Sequence, residues 1–102
     1  MIVVVFRARW RADSDLKALE ALGMRMYELA ASMPGFIGYK DFTAADGESV
    51  SIVEFADAAS LHAWREHPEH AAAQERGRLE FMDDYTIQVC TLERTSTFRR
   101  AL

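Results

Sequence analysis

Asparagine is absent from this chain of 102 residues, and it has one cysteine, two prolines and five glycines. A lone Cys90 cannot close an intramolecular bridge, so the fold must hold without disulfides. Lying in a strand-like run, Cys90 reads as a packing residue and suits a reducing cytoplasm. So few breakers leave no Pro/Gly/Ser linker, repeat or low-complexity tract to separate a second domain. Long apolar runs are missing too. Met1 to Phe6 is greasy, but Arg7 follows at once, too soon for a membrane span, and no basic leader for secretion precedes it. Positive charge is also scarce: twelve Lys and Arg against sixteen Asp and Glu give a net charge of -4, which argues against nucleic acid or an anionic membrane as partner. There is no Gly-rich phosphate loop, nucleophile elbow or paired-cysteine metal site, so NAD, ATP, zinc and DNA lack support, and no cofactor is expected.

What is present is enough apolar material for one core: half of the residues are hydrophobic, and a chain of this length can bury them as one domain. That domain is expected over residues 1–94, with residues 95–102 as a tail or strand extension. Ile2, Val4, Phe6, Ala8 and Trp10 alternate along the first strand, while the opposite face changes from Val3 and Val5 to Arg7, Arg9 and Arg11. Asp13 or Ser14 is placed to cap a helix, along which Leu16, Leu19, Leu22, Met26, Leu29 and Met33 form a stripe. Met33-Pro34-Gly35 ends it. Strands follow over Phe36 to Thr43 and Val50 to Phe55, joined by the turn Ala45-Asp46-Gly47-Glu48. Asp57 opens a short helix ending near His67, because a residue before proline avoids helical geometry. Pro68 suits the first turn of the next helix, which runs to about Arg78, and a last strand spans Tyr85 to Leu92.

This order, with right-handed crossovers, predicts an α+β, ferredoxin-like fold: a four-stranded antiparallel sheet with helices on one face. Apolar residues occur on both parities, Phe36 and Phe42 on one and Ile37 and Tyr39 on the other. Two helices cover one face only, so the other is expected to pack on a second copy as a homodimer.

Ser60 to His70 gathers a tryptophan and three histidines, and the chemistry is expected there. Trp64 reads both as a core anchor and as a wall that stacks on a planar molecule. His67 and His70 fall short of the three protein ligands that zinc takes; either suits a general base, since a neutral imidazole can accept a proton near pH 7. His67 also suits a helix cap, and His62 a surface position. Arg7 and Arg9, on an inner strand, must meet carboxylates, a second copy or an anionic ligand. Glu54 and Asp41 are the candidate carboxylates, and holding a developing phenolate is the functional alternative for Arg7. Tyr39 is a candidate to orient a substrate hydroxyl.

Met33-Pro34-Gly35-Phe36, Val53-Glu54-Phe55 and above all Ala63-Trp64-Arg65-Glu66-His67-Pro68-Glu69-His70 give the chain a resemblance to the antibiotic biosynthesis monooxygenase (ABM) family of dimeric α+β barrel proteins. The resemblance covers nearly the whole chain. It implies a homodimer, a pocket between sheet and helices, and oxygenation of an electron-rich aromatic without metal or flavin. Members that oxidise polycyclic phenols resemble the chain at Trp64 but also use an asparagine, which it lacks. Haem-degrading relatives use a first-strand asparagine, a helical tryptophan and a following histidine whose position falls nearer Gln74 than His70. The expected function is therefore cofactor-independent monooxygenation of a phenol, quinol or anthrone-like ring. His70 or His67 would deprotonate the substrate, Arg7 would hold the anion, and Trp64 and Tyr39 would line the site. The alternatives are a non-catalytic dimeric module that binds a small hydrophobic metabolite and, behind it, haem breakdown.

Overall fold

The computed structural model describes residues 1–101; Leu102, the end of the expected tail, lies outside the described residues. Strand β1 (Ile2–Trp10) is followed by helix α1 (Leu16–Ala31), the hairpin β2 (Phe36–Thr43) and β3 (Ser49–Phe55), helices α2 (Ala58–Arg65) and α3 (Pro68–Arg76), a π-helical segment over Gly77–Phe81, and β4 (Met82–Thr91). The four strands form one antiparallel sheet in the order β2-β3-β1-β4. Its architecture is the expected ferredoxin-like α+β fold. Residues 93–101 are exposed and have no regular secondary structure.

Local chemistry accounts for most boundaries. Asp15 rather than Asp13 or Ser14 caps α1, its carboxylate accepting the Ala18 N–H at 3.1 Å. The other two are engaged elsewhere: Asp13 pairs with Arg11, and the Ser14 hydroxyl donates to the Phe81 carbonyl. Gly35 turns the chain out of α1 at φ +84, where a Cβ would also come within 2.2 Å of the Ser60 hydroxyl; only glycine tolerates both conditions. Asp57 caps α2 as expected, and His67 caps α3 with Pro68 in its first turn. The helix after Pro68 stops two residues early, at Arg76. The π segment carries the chain into β4, which starts at Met82 rather than Tyr85 and pairs with Trp10 past a bulge.

Alternation divides the sheet into two faces. Val4, Ala8, Val53 and Phe55 point toward the helices and are almost wholly buried. Against them pack Met26, Leu29 and Ala30 of α1, with Leu61 and Trp64 of α2. Val3, Val5, Val50 and Ile52 lie on the outer face with Arg7 and Arg9. A register shift between Phe36 and Gly38 breaks the parity of β2. Phe36 therefore turns inward onto Phe55, together with Tyr39, while Phe42 faces out. The expected grouping of Phe36 with Phe42 is corrected by that bulge, which adds one residue to one side of the ladder.

Candidate active site

Between the inner sheet face and the helices lies a cavity of about 1140 Å³, large for a small-molecule site. One part is walled by Trp64, His70 and Tyr39, another by Phe6, Trp10 and Tyr85. Leu16 lines its open side, which explains why the first residue of the α1 stripe is 72% exposed while Met26 and Leu29 are buried. Arg25 of α1 is held by Glu69 of α3, an ion pair that ties together two helices of the roof.

Trp64 sits on the inward side of α2, 7% exposed. Its ring lies 5.6 Å from Phe55 and meets Tyr39 edge-on at 6.4 Å. It is a core residue that also lines the cavity. His70, one turn into α3, places its imidazole 4.2 Å from the indole, inclined at 51°. Trp64 Nε1 and His70 Nδ1 are both enclosed and have no hydrogen-bond partner among the described residues. Buried polar atoms are nearly always paired, so these two adjacent exceptions single out this stretch of the cavity wall. Burial holds the His70 imidazole below its ordinary pKa of 6.5; the Arg65 carbonyl opposes this, and the charges of His67 and Arg65 reinforce it. The ring is thus neutral at pH 7.

The other expected site residues separate. His67 Nδ1 accepts the Glu69 N–H at 3.1 Å, and the residue caps α3 instead of lining the cavity. The structure thus places it apart from His70 and Trp64, in a capping role. Arg7, expected to hold the substrate anion, does not line the cavity. It projects from the outer face, where it binds Glu48 at 3.0 Å while Arg9 binds Asp46 at 2.8 Å. The reason is parity: odd-numbered residues of β1 oppose Val4 and Ala8. The carboxylates come from the hairpin turn, not from Glu54 or Asp41 as expected, because the turn folds back beside the end of β1.

Tyr39 does line the cavity. Burial raises its phenol pKa, the nearby Asp41 charge adds to that, and Ser51 pulls the other way. It is a proton donor at neutral pH rather than a phenolate. Asp41 and Ser51 also line the cavity, joined by a hydrogen bond from the Ser51 hydroxyl to Asp41 Oδ1. Sequence reasoning did not assign this pair to the site. The available signal was spacing, because Asp41 is two residues beyond Tyr39 and shares its face. No cluster of three His, Cys, Asp or Glu side chains suited to a metal occurs among the described residues. None of the described helices is long and apolar enough to cross a membrane.

The family model described as antibiotic biosynthesis monooxygenase matches residues 1–76, from β1 through α3. The chain belongs to that family. Membership takes in Trp64 and His70 and leaves β4 outside the matched segment. The Bacillus subtilis (strain 168) protein YqjZ is 35% identical over 75 residues, 74% of this chain and 66% of YqjZ; the match thus spans about two thirds of that relative. Rv0793 from Mycobacterium tuberculosis has a similar fold, with a TM-score of 0.80 at 21% identity, covering 94% of this chain and 98% of that one. SnoaB from Streptomyces nogalater, a cofactor-independent oxygenase, superposes with a TM-score of 0.75 at 17% identity, covering 92% and 94% of the two chains.

Proposed function

We propose that this member of the ABM family is a monooxygenase that inserts oxygen from dioxygen into an electron-rich planar aromatic, a phenol, quinol or anthrone-like ring, without metal or flavin. The observation that carries the reading is the neutral, enclosed imidazole of His70 packed on Trp64 in the wall of a large, mainly apolar cavity. A planar ring enters against Trp64 and Tyr39, and His70 removes a proton from the activated carbon or hydroxyl. Catalytic hydrogen bonds tighten when substrate binds. The substrate anion passes one electron to dioxygen, and the resulting radical and superoxide join as a peroxide. For an anthrone, loss of water then leaves the quinone, so one oxygen atom enters the product and the other leaves as water. The residues bind, deprotonate and exclude solvent, which suffices because the substrate itself supplies the electrons.

The active form in this proposal is a homodimer. Ile37 and Phe42 on the outer sheet face are 48% and 47% exposed, beside Val3, Val5, Val50 and Ile52, and a second copy packed face to face would cover them. One observation favours a rival reading: phenol-oxidising members that resemble the chain use an asparagine, and this sequence has none. A dimeric module that binds a small hydrophobic metabolite would not need it. Oxygen uptake by the purified protein with a panel of hydroquinones and anthrones separates the two. Uptake that fails on His70→Gln supports the oxygenase. Saturable binding without uptake by any compound supports the binding module.

A further inference from the structure

The part of the cavity beyond Tyr39 contains a group that the proposed proton transfer does not use. Asp41 follows Tyr39 by two residues on β2, so it stands about 6–7 Å further along the strand on the same face. Ser51, on the neighbouring strand β3, is 8% exposed and gives its hydroxyl proton to Asp41 Oδ1. The register places Asp41 directly opposite Ser51, so the hydrogen bond is built into the sheet and holds one carboxylate oxygen. Oδ2 has no hydrogen bond among the described residues. The basic side chains of β1 and the hairpin do not neutralise it: Arg7 and Arg9 lie on the opposite face, bound to Glu48 and Asp46. Lys40, next to Asp41, projects outward over the Phe42 ring. Arg65 also lines the cavity, but it makes no ion pair with Asp41.

We propose that Asp41, oriented by Ser51, is a specificity determinant that accepts a hydrogen bond from a hydroxyl or amine on the ligand and excludes ligands carrying a carboxylate at that end. The inference deepens the proposed function, on which it rests, by naming the substrate class: an elongated aromatic with a hydrogen-bond donor remote from the atom that His70 deprotonates. Trp64 meets His70 on one side and Tyr39 on the other, so a ligand reaching from His70 to Asp41 must lie along that wall. Asp41 itself is exposed, at the cavity rim, so a carboxyl group there would bring two anions together where water screens their repulsion without abolishing it. A hydroxyl would meet an acceptor already aimed by Ser51, forming a charge-assisted bond.

The test is calorimetric titration of the protein with 2-naphthol and 2-naphthoate at pH 7.5, repeated on Asp41→Asn and Ser51→Ala. The native preference for naphthol includes the cost of dehydrating the anion, which all three proteins share. The decisive quantity is how that preference changes. Asp41→Asn should cut it about fivefold, chiefly by tightening naphthoate binding, because a neutral amide removes a water-screened repulsion of about 1 kcal/mol. Ser51→Ala keeps the charge and loses its orientation, so naphthol should weaken about threefold while naphthoate stays excluded. A preference unchanged within about twofold in Asp41→Asn, with the native circular dichroism spectrum, overturns the proposal, since both charge and fold would then have been tested. Failure of the oxygenase reading looks different: both naphthalenes bind with the Asp41-dependent preference, and no compound in the oxygen-uptake panel is consumed.

Discussion

The two faces of the sheet solve the same problem, polar groups beside apolar ones, in opposite ways. On the outer face the arginines of β1 and its exit are answered locally: Arg7 by Glu48, Arg9 by Asp46, and Arg11 at the strand's end by Asp13. On the inner face Trp64 Nε1 and His70 Nδ1 go unanswered, and Asp41 is half-answered by Ser51. The outer pairs are largely exposed and so add little to stability. Enclosing Trp64 Nε1 and His70 Nδ1 carries a cost, since an enclosed polar atom without a partner forfeits its bonds to water; Asp41 is exposed and keeps its water.

The most severe test of this contrast is His70→Ala. If the imidazole is the base, oxygen uptake should fall on the order of a hundredfold or more, while ligand binding by calorimetry changes little. Unchanged turnover would remove the inner face's claim to chemistry. His67→Ala, by contrast, should lower the unfolding free energy by about 1 kcal/mol through loss of the α3 cap and leave uptake intact.

Trp64→Ala should cost about 3–5 kcal/mol in urea unfolding, because the indole is core as well as wall. Trp64→Phe should spare most of that stability and still weaken aromatic ligands. If both variants bound as the native protein does, Trp64 would be core alone. On the outer face, Ile52→Glu should convert a dimer to a monomer in sedimentation, since it puts charge in the middle of the apolar patch. A native protein that sediments as a monomer at micromolar concentration would contradict the face-to-face assembly.

Mild acidity should act on the inner face first, because Asp46, held low by the Glu48 N–H and Arg9, and Asp13, held low by Arg11, take up protons only below the ordinary carboxylate range. His70 has its folded pKa held below 6.5, so below pH 6.5 the unfolded chain takes up the proton before the folded one does. Its contribution to stability is complete above about pH 6.5 and is lost as pH falls through the lower folded value. Oxygen uptake should decline over that same acidic window, and His70→Gln should flatten the stability profile there. The smallest effect belongs to Arg7→Ala, which should leave ligand affinity unaltered. A marked loss of binding would mean that the outer face reaches the ligand through a second copy.

Much of this architecture was legible beforehand. Alternation from Ile2 to Trp10 separated the arginines from Val4 and Ala8, and the Asp57 and Pro68 signals located α2 and α3. The same spacing put Asp41 on the Tyr39 side. It did not reveal which side the helices would cover, and so it left open whether Arg7 meets a carboxylate, a second copy or a ligand. His67 and His70 look alike in sequence, both beside glutamate. What distinguishes them is that His67 precedes Pro68 and has its ring turned to the Glu69 N–H, whereas His70 lies where α3 meets Trp64.

Strand periods, helix caps and the glycine turn rest on interactions within a few residues, and the chain carries those wherever it goes; on these the sequence was sufficient. Other features came into being only when β2, β3, β1 and β4 assembled: the bulge that turns Phe36 inward, the pairing of Ser51 with Asp41, the pairing of Arg7 with Glu48, and the enclosure of the His70 imidazole. They depend on register between distant segments and on the exclusion of water from a shared cavity, and neither exists until the sheet and its helices have packed.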